Sequence, residues 1–303
     1  MKKNLFILIL FNFSLLFGQI KIAYTKSFSS MPLLYMMENY LSVDDKELQF
    51  YSCSDSKDMV KKLLNNQIDI CLLPVSVIAK MSQSGNDKLI CLGVSQQSNF
   101  YIVTKNQNLN DLQTLQEEKI YLEGQDSITD VISKFYLSNK DLSFDYSYSN
   151  SQIPSLIIND KILYGILPEP YASICQNYDL QTIRTYSLNN FIQEESNQSY
   201  PIMLLTVKKS FLKENTESIN YFIQIFSESC RNIIESPESC ADLLQKYNFY
   251  LDYQDAVLAI KSLTFEFIQA NQAKEDIEKV IKLYLEKTLE DTEINLPIQD
   301  FYY

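Results

Sequence analysis

Ser27, Phe28, Ser29 and Ser30 follow the apolar run IKIAYT (20–25), and three hydroxyls on one turn can hydrogen-bond a small polar ligand. The combination of strand-like run and polar turn recurs three times. Ser76 follows IDICLLP (68–74); Gln125, Ser127 and Thr129 follow KIYLEG (119–124); Glu169 and Tyr171 follow ILYGILP (162–168). A carboxylate at 169 can pair with a cationic or amine-bearing ligand, and a tyrosine at 171 can stack on a flat one. Helix N-termini at such turns add free backbone N–H groups and the positive end of the helix dipole.

The same residues also have plainer uses. One serine of the first turn suffices to cap its helix. Ser76 serves as a cap as readily as a ligand contact. Asp126 is expected to cap the helix that follows it, which leaves Ser127 and Thr129 as the better ligand candidates. Glu169 can fix a corner held rigid by Pro168 and Pro170. Of the nearby aromatics Tyr24, Tyr35, Phe100 and Tyr101, at least half are expected in the core. The four turns hold neither lysine nor arginine, which weighs against an anion held by direct ion pairs.

Much chemistry is excluded at once. The chain has no histidine, which removes the commonest general base and zinc ligand and any Ser–His–Asp or Cys–His centre. The six cysteines, at 53, 71, 91, 175, 230 and 240, form no CxxC pair, so a clustered thiolate metal site is not expected. Cys71 and Cys91 sit inside apolar runs and read as small hydrophobes. Cys230 and Cys240 flank Pro237; an even count permits disulfides without proving one. A net charge of −12, spread along the chain, argues against nucleic acid as a partner.

The elements that position these turns alternate. Residues 20–25, 47–53, 68–74 and 88–94 read as strands, with helices over 32–41, 55–67 (capped by Asp55) and 75–83. This β-α-β-α-β-α-β order argues for a parallel α/β sheet. A second copy follows: strands at 99–105, 119–124, 142–148, 162–168, 180–186 and 200–207, with helices around 109–115, 126–138 and 151–160. From Lys208 to about Glu290 the pattern is helical, and INLPIQDFYY reads as a loose tail. Polar stretches near 95–98 and 188–199 mark two crossings between lobes. Upstream, MKKNLFILILFNFSLLFGQ has the basic start, apolar run and small-residue site of a signal peptide over residues 1–18.

Four strings carry a family resemblance: IKIAYT with its serine-rich turn, LLNNQIDICLLPVSVIAKM, LQTLQEEKIYLEGQDSITDVISKFYL and GILPEPYAS. In their order and spacing the chain resembles the type II periplasmic binding proteins of ABC importers, in the branch that binds nitrate, sulfonates, taurine and thiamine precursors. The resemblance covers roughly residues 20 to 210. It implies a bilobal α/β fold of two mixed, mostly parallel sheets with flanking helices and a two-strand hinge. Lobe I would comprise 19–97 and 200–303, and lobe II 98–199. It also implies a monomer without cofactor or catalytic residues, exported to the periplasm or cell surface, that hands a small molecule to a membrane permease. The chain departs from the family in using serines where glycines usually face the ligand. Two other functions share the fold: a ligand sensor uncoupled from transport, and an enzyme resembling thiamine-pyrimidine synthase. The latter relies on a histidine and a cysteine-rich motif that this chain lacks.

Overall fold

Apolar residues at alternate positions build the first strand, β1 (Gln19–Thr25), in which Ile20 and Ile22 are buried. The computed structural model describes residues 18–303 apart from 98–99, 108, 110–114, 116–118, 138–140, 189–199, 250–251, 264 and 290–291. The expected signal peptide, save Gly18, and most of the polar helix expected at 109–115 lie outside the described residues.

The first sheet adds β2 (Ser42–Val43), β3 (Lys46–Cys53), β4 (Ile70–Pro74), β5 (Leu89–Gln97), β11 (Pro201–Lys208) and β12 (Ile268–Gln269), in the order β12-β5-β11-β4-β1-β3-β2. Helices α1 (Met31–Asn39), α2 (Ser56–Leu64) and α3 (Val75–Gln83) connect its strands. The second sheet contains β6 (Phe100–Thr104), β7 (Lys119–Tyr121), β8 (Ser143–Asp145), β9 (Tyr164–Pro168) and β10 (Arg184–Ser187), in the order β10-β6-β9-β7-β8. Its helices are α4 (Ile128–Tyr136), α5 (Ile153–Ile158) and α6 (Tyr171–Tyr178). After β11 come α7 (Lys209–Glu214), α8 (Thr216–Glu235), α9 (Pro237–Lys246), α10 (Tyr253–Ser262) and α11 (Lys274–Thr288).

Both sheets are mixed, as expected, with parallel pairs at the centre of the first and antiparallel pairs on either side. β1 runs parallel to β3 and β4, but β5 does not pair with β4; β11 lies between them, antiparallel to both. In the second sheet β7 is parallel to β8 and β9, while β6 separates β9 from β10 and is antiparallel to both. β6 and β11 are the strands that enter from the other sheet. β5 ends at its carboxyl end, and β6 starts three residues later with Phe100 opposite Pro168, the last residue of β9. Pro201, the first residue of β11, likewise lies opposite Gln97, the last of β5. The carboxyl edges of the two sheets therefore adjoin, and a strand entering there must run against its parallel neighbours. The strand expected to stop at residue 94 continues through Ser95–Gln97, because Ser95 and Gln96 are buried at this passage, Gln96 and Gln97 pair with β11, and the Ser95 hydroxyl donates to the Met203 carbonyl.

Both faces of the first sheet are covered, which explains the unbroken apolar reading of β4. Ile22, Ile70, Leu72 and Leu205 share a core with α1, α8 and α9, while Ala23, Cys71, Leu73 and Leu204 share another with α2, α3 and α11. The second of these cores runs on into Ile102 and Ile120 of the second sheet and Ile132 of α4. All six cysteines are buried free thiols, and burial pushes Cys71 and Cys91 up to about 12.

The C-terminal residues are docked, not loose. Phe301 and Tyr302 are buried, Tyr302 bridges to Cys91, and Tyr303 N–H donates to the Cys91 carbonyl at 3.0 Å. Together with β12, which pairs with Gly93 and Val94, they cover an edge of β5 that would otherwise expose unpaired backbone groups. Gly93 makes this possible: a Cβ there would collide with the Phe267 ring and the Ile268 carbonyl. Among the described residues, no helix is long and apolar enough to cross a membrane.

Candidate ligand-binding cleft

β1 and β3 are in register from Gln19↔Glu47 to Thr25↔Cys53, so the turns that leave their carboxyl ends start side by side. Between them lies an open concavity of about 590 Å³, lined by Thr25, Lys26, Ser27, Ser29, Ser52, Cys53, Ser54, Asp55, Ser56 and Met203. That volume suits a small molecule. Asp55 caps α2 by accepting from Asp58 N–H at 2.9 Å. The Thr25 and Ser27 hydroxyls hydrogen-bond each other at 3.0 Å. The hydroxyls of Ser29, Ser52, Ser54 and Ser56 have no partner among the described residues. A protein that leaves four hydroxyls of one wall unpaired has donors and acceptors to offer a ligand or ordered water.

The structure brings Ser27 and Ser29 together in this wall. Phe28 and Ser30 turn away from it: Phe28 packs edge-on against Phe249 with ring centroids 6.5 Å apart, and Ser30 is buried. Ser76 is half-buried in the first turn of α3 and is not part of the lining. The helix has Pro74 as its N-cap and no side-chain cap. Tyr24 and Tyr35 pack against the core of the first sheet, Phe100 is buried, and Tyr101 is half-buried against the second sheet.

On the second sheet, the chain after β7 turns through Gly124 (φ +79) and Asp126 (φ +58). The cap of α4 is Ser127, not Asp126: Ser127 Oγ accepts from Asp130 N–H at 3.1 Å. The Asp130 carboxylate in turn accepts from Asp126 N–H at 2.9 Å. With its backbone in the left-handed region, Asp126 cannot supply the extended geometry of a cap. Replacing Ser127 by Ala is expected to cost about 1 kcal/mol of stability, measured by urea denaturation. Gln125 is exposed and Thr129 half-buried.

Glu169 is buried, and its carboxylate accepts from both the backbone N–H and the hydroxyl of Ser173, each at 3.1 Å. Burial holds this carboxyl above the usual glutamate range despite those bonds. The folded state therefore binds its proton more tightly than the unfolded chain does. Its contribution to stability is greatest in acid and falls as pH rises from the unfolded value through the raised folded one. Relative to Glu169→Gln, the wild type should lose stability over that window. Melting curves from pH 4 to 7 for both proteins check this; parallel curves would remove the effect. Tyr171 follows at the start of α6, half-buried, with its hydroxyl pushed up chiefly by burial.

Sequence reasoning missed Lys26, Ser52, Ser54 and Ser56. The signal was present: SCSDS (52–56) follows a strand as the serine turn of β1 does, but Asp55 alone drew attention, as a cap. Lys26 also places a cation in this wall, which corrects the expectation that the turns offer none.

No protein-family model and no curated protein matches the chain. Solved structures do. An ABC transporter structure from Parabacteroides distasonis is 19% identical, with a TM-score of 0.78 over 94% of this chain and 99% of that one. The periplasmic aliphatic sulphonate binding protein of Escherichia coli is 14% identical, with a TM-score of 0.73 over 94% and 92%. A Candida albicans protein described as having the generic periplasmic binding protein fold is 16% identical, with a TM-score of 0.58 over 91% and 92%. The chain has the periplasmic binding protein fold: two mixed α/β sheets joined at their carboxyl edges.

Proposed function

We propose that the chain is an extracytoplasmic substrate-binding protein. It takes a small molecule between lobe I (19–97 and 200–303) and lobe II (98–199) and delivers it to the permease of an ABC-type importer. The observation that carries this reading is the wall of unpartnered serine hydroxyls at the carboxyl edge of the first sheet, adjoining the carboxyl edge of the second. In open α/β sheets ligands gather outside those edges. The chain has no histidine to activate these hydroxyls, which supports capture over catalysis as their use. The solved structures of like fold include ABC-importer binding components, which supports transport as the use of that capture. Export through residues 1–18 belongs to the same proposal.

Mass spectrometry of small molecules released by denaturing protein purified from its native host tests the reading. One molecule recovered at a stoichiometric level, which rebinds the refolded protein, is expected. Protein from native membranes and medium that releases nothing, and binds nothing from a host extract, contradicts it.

A further inference from the structure

The concavity of the serine wall has one lining residue from outside that wall. The others belong to the carboxyl ends of β1 and β3 and to the segments that leave them; the exception is Met203. Met203 is the third residue of β11, the strand that returns from the second sheet. Its half-buried side chain packs against the core that Leu205 and Val207 share with α1 and α8. The thioether therefore joins the concavity to the crossing strand and to that core.

The crossing bends at this residue. Toward β4 the pairing of β11 is regular, from Met203↔Pro74 to Val207↔Ile70. Toward β5 it slips on both sides of Met203, which pairs with Gln96 while Pro201 pairs with Gln97 and Leu204 with Val94. Ile202 on one strand and Ser95 on the other fall between paired residues. Such irregularities bend a strand and raise its local twist. The Ser95 hydroxyl donates to the Met203 carbonyl at 3.3 Å, which ties the slipped residue to the other crossing strand. Beside it, the Oε1 of Gln96 is shielded from solvent and accepts no hydrogen bond. A buried acceptor without a donor marks an arrangement that is not fully satisfied as it stands.

A ligand closes two lobes only by as much as it binds the closed form better. The serines of the wall move as one body with the first sheet, so their bonds to a ligand are the same in either form. Met203 differs, because its strand crosses to the second sheet and its backbone sits at the bend. Resting on the proposed capture of a small molecule between the lobes, we infer that Met203 is the positioning residue through which that molecule acts on the hinge. The molecule lies against the thioether, and this contact sets the bend of β11 that brings the lobes together. Contacts with lobe II follow from that closure. An unbranched, polarisable side chain suits the task, since it keeps contact while the surface around it shifts.

The test uses the full chain and, as probe, the small-molecule fraction released by denaturing protein purified from its native host. Met203→Leu keeps the volume of the side chain; Met203→Ala removes the contact. In protein labelled with carbon-13 at the methionine methyls, the signal missing from Met203→Leu is that of Met203, and it should shift when the probe binds. Loading is measured by equilibrium dialysis with mass spectrometry, and closure by small-angle X-ray scattering. Met203→Leu should load and close like the wild type. Met203→Ala should still load, about tenfold more weakly, because the serine wall is intact. At equal occupancy its radius of gyration should fall by about half as much as that of the wild type, or less. A merely structural role for Met203 leaves closure at equal occupancy unchanged. The inference is overturned if the Met203 methyl signal stays in place with the probe bound, or if Met203→Ala closes like the wild type. The methyl signal decides the matter even if Met203→Ala does not fold. Either overturning result leaves the binding-protein reading in place as long as the wild type loads. A probe fraction from which the wild type takes up nothing overturns that reading, and this inference with it.

Discussion

Cutting Phe222 to Ala should cost about 3–5 kcal/mol of folding stability, the largest loss expected of any single substitution considered for this chain. Phe222 is fully buried on α8 and stacks on Phe226 with ring centroids 6.3 Å apart. Both rings share a core with Ile22, Leu72 and Leu205 on one face of the first sheet. The loss has two parts: the transfer free energy of the ring, and a cavity that α8 and the rigid sheet cannot collapse to fill. In urea the midpoint should fall while the slope stays near its wild-type value, because the surface exposed on unfolding hardly changes. Ligand affinity should be retained, since Phe222 is not part of the cleft lining. A loss below about 1 kcal/mol would mean that α8 is not packed on the sheet as described.

The opposite pattern is expected of Ser29→Ala and Ser54→Ala. Each removes a hydroxyl that the folded protein leaves unpaired, so stability should stay within about 0.5 kcal/mol of wild type. Each should weaken the released native ligand about tenfold, the worth of one hydrogen bond near 1.4 kcal/mol. The serines stand on different turns, one after β1 and one after β3. If their losses add, the double variant should bind about a hundredfold more weakly. Isothermal titration calorimetry measures both steps. Full affinity in the double variant would remove the serine wall from the site.

Where residues have a strong local reason for their conformation, the sequence was a reliable guide. The helix over Val75–Gln83 has the expected limits, because a continuous apolar strand stops at Pro74 and an amphipathic run begins there. Asp55 caps α2 as its position before SKDMVKKLL suggests. What escaped reading depends on contacts distant in sequence. β11 wedges between β4 and β5 because the chain returns from the second sheet at their carboxyl edge, and no local pattern in PIMLLTVK records that. Ser95–Gln97 look like a polar linker, yet they are a strand because β11 satisfies them. The terminal FYY reads as a tail until the edge of β5 provides its partner in Cys91. At the site, the β1 turn was legible because its serines exceed what capping needs. The β3 turn was not, because its one obvious cap masked three further serines.

The central claim is that a small molecule bridges the two lobes and closes them. The concavity described is lined by residues of the first sheet and its turns alone. A ligand that also contacts the second carboxyl edge must favour a more closed form, by as much as it binds that form better. Small-angle X-ray scattering of the same preparation, stripped of ligand and then reloaded with the molecule released from the native protein, measures this directly. The radius of gyration should fall on loading, and the melting temperature should climb with free ligand as RT ln(1 + [L]/Kd) requires. Scattering curves that superimpose at saturating ligand would contradict closure, and with it the account of the two carboxyl edges as facing walls of one site.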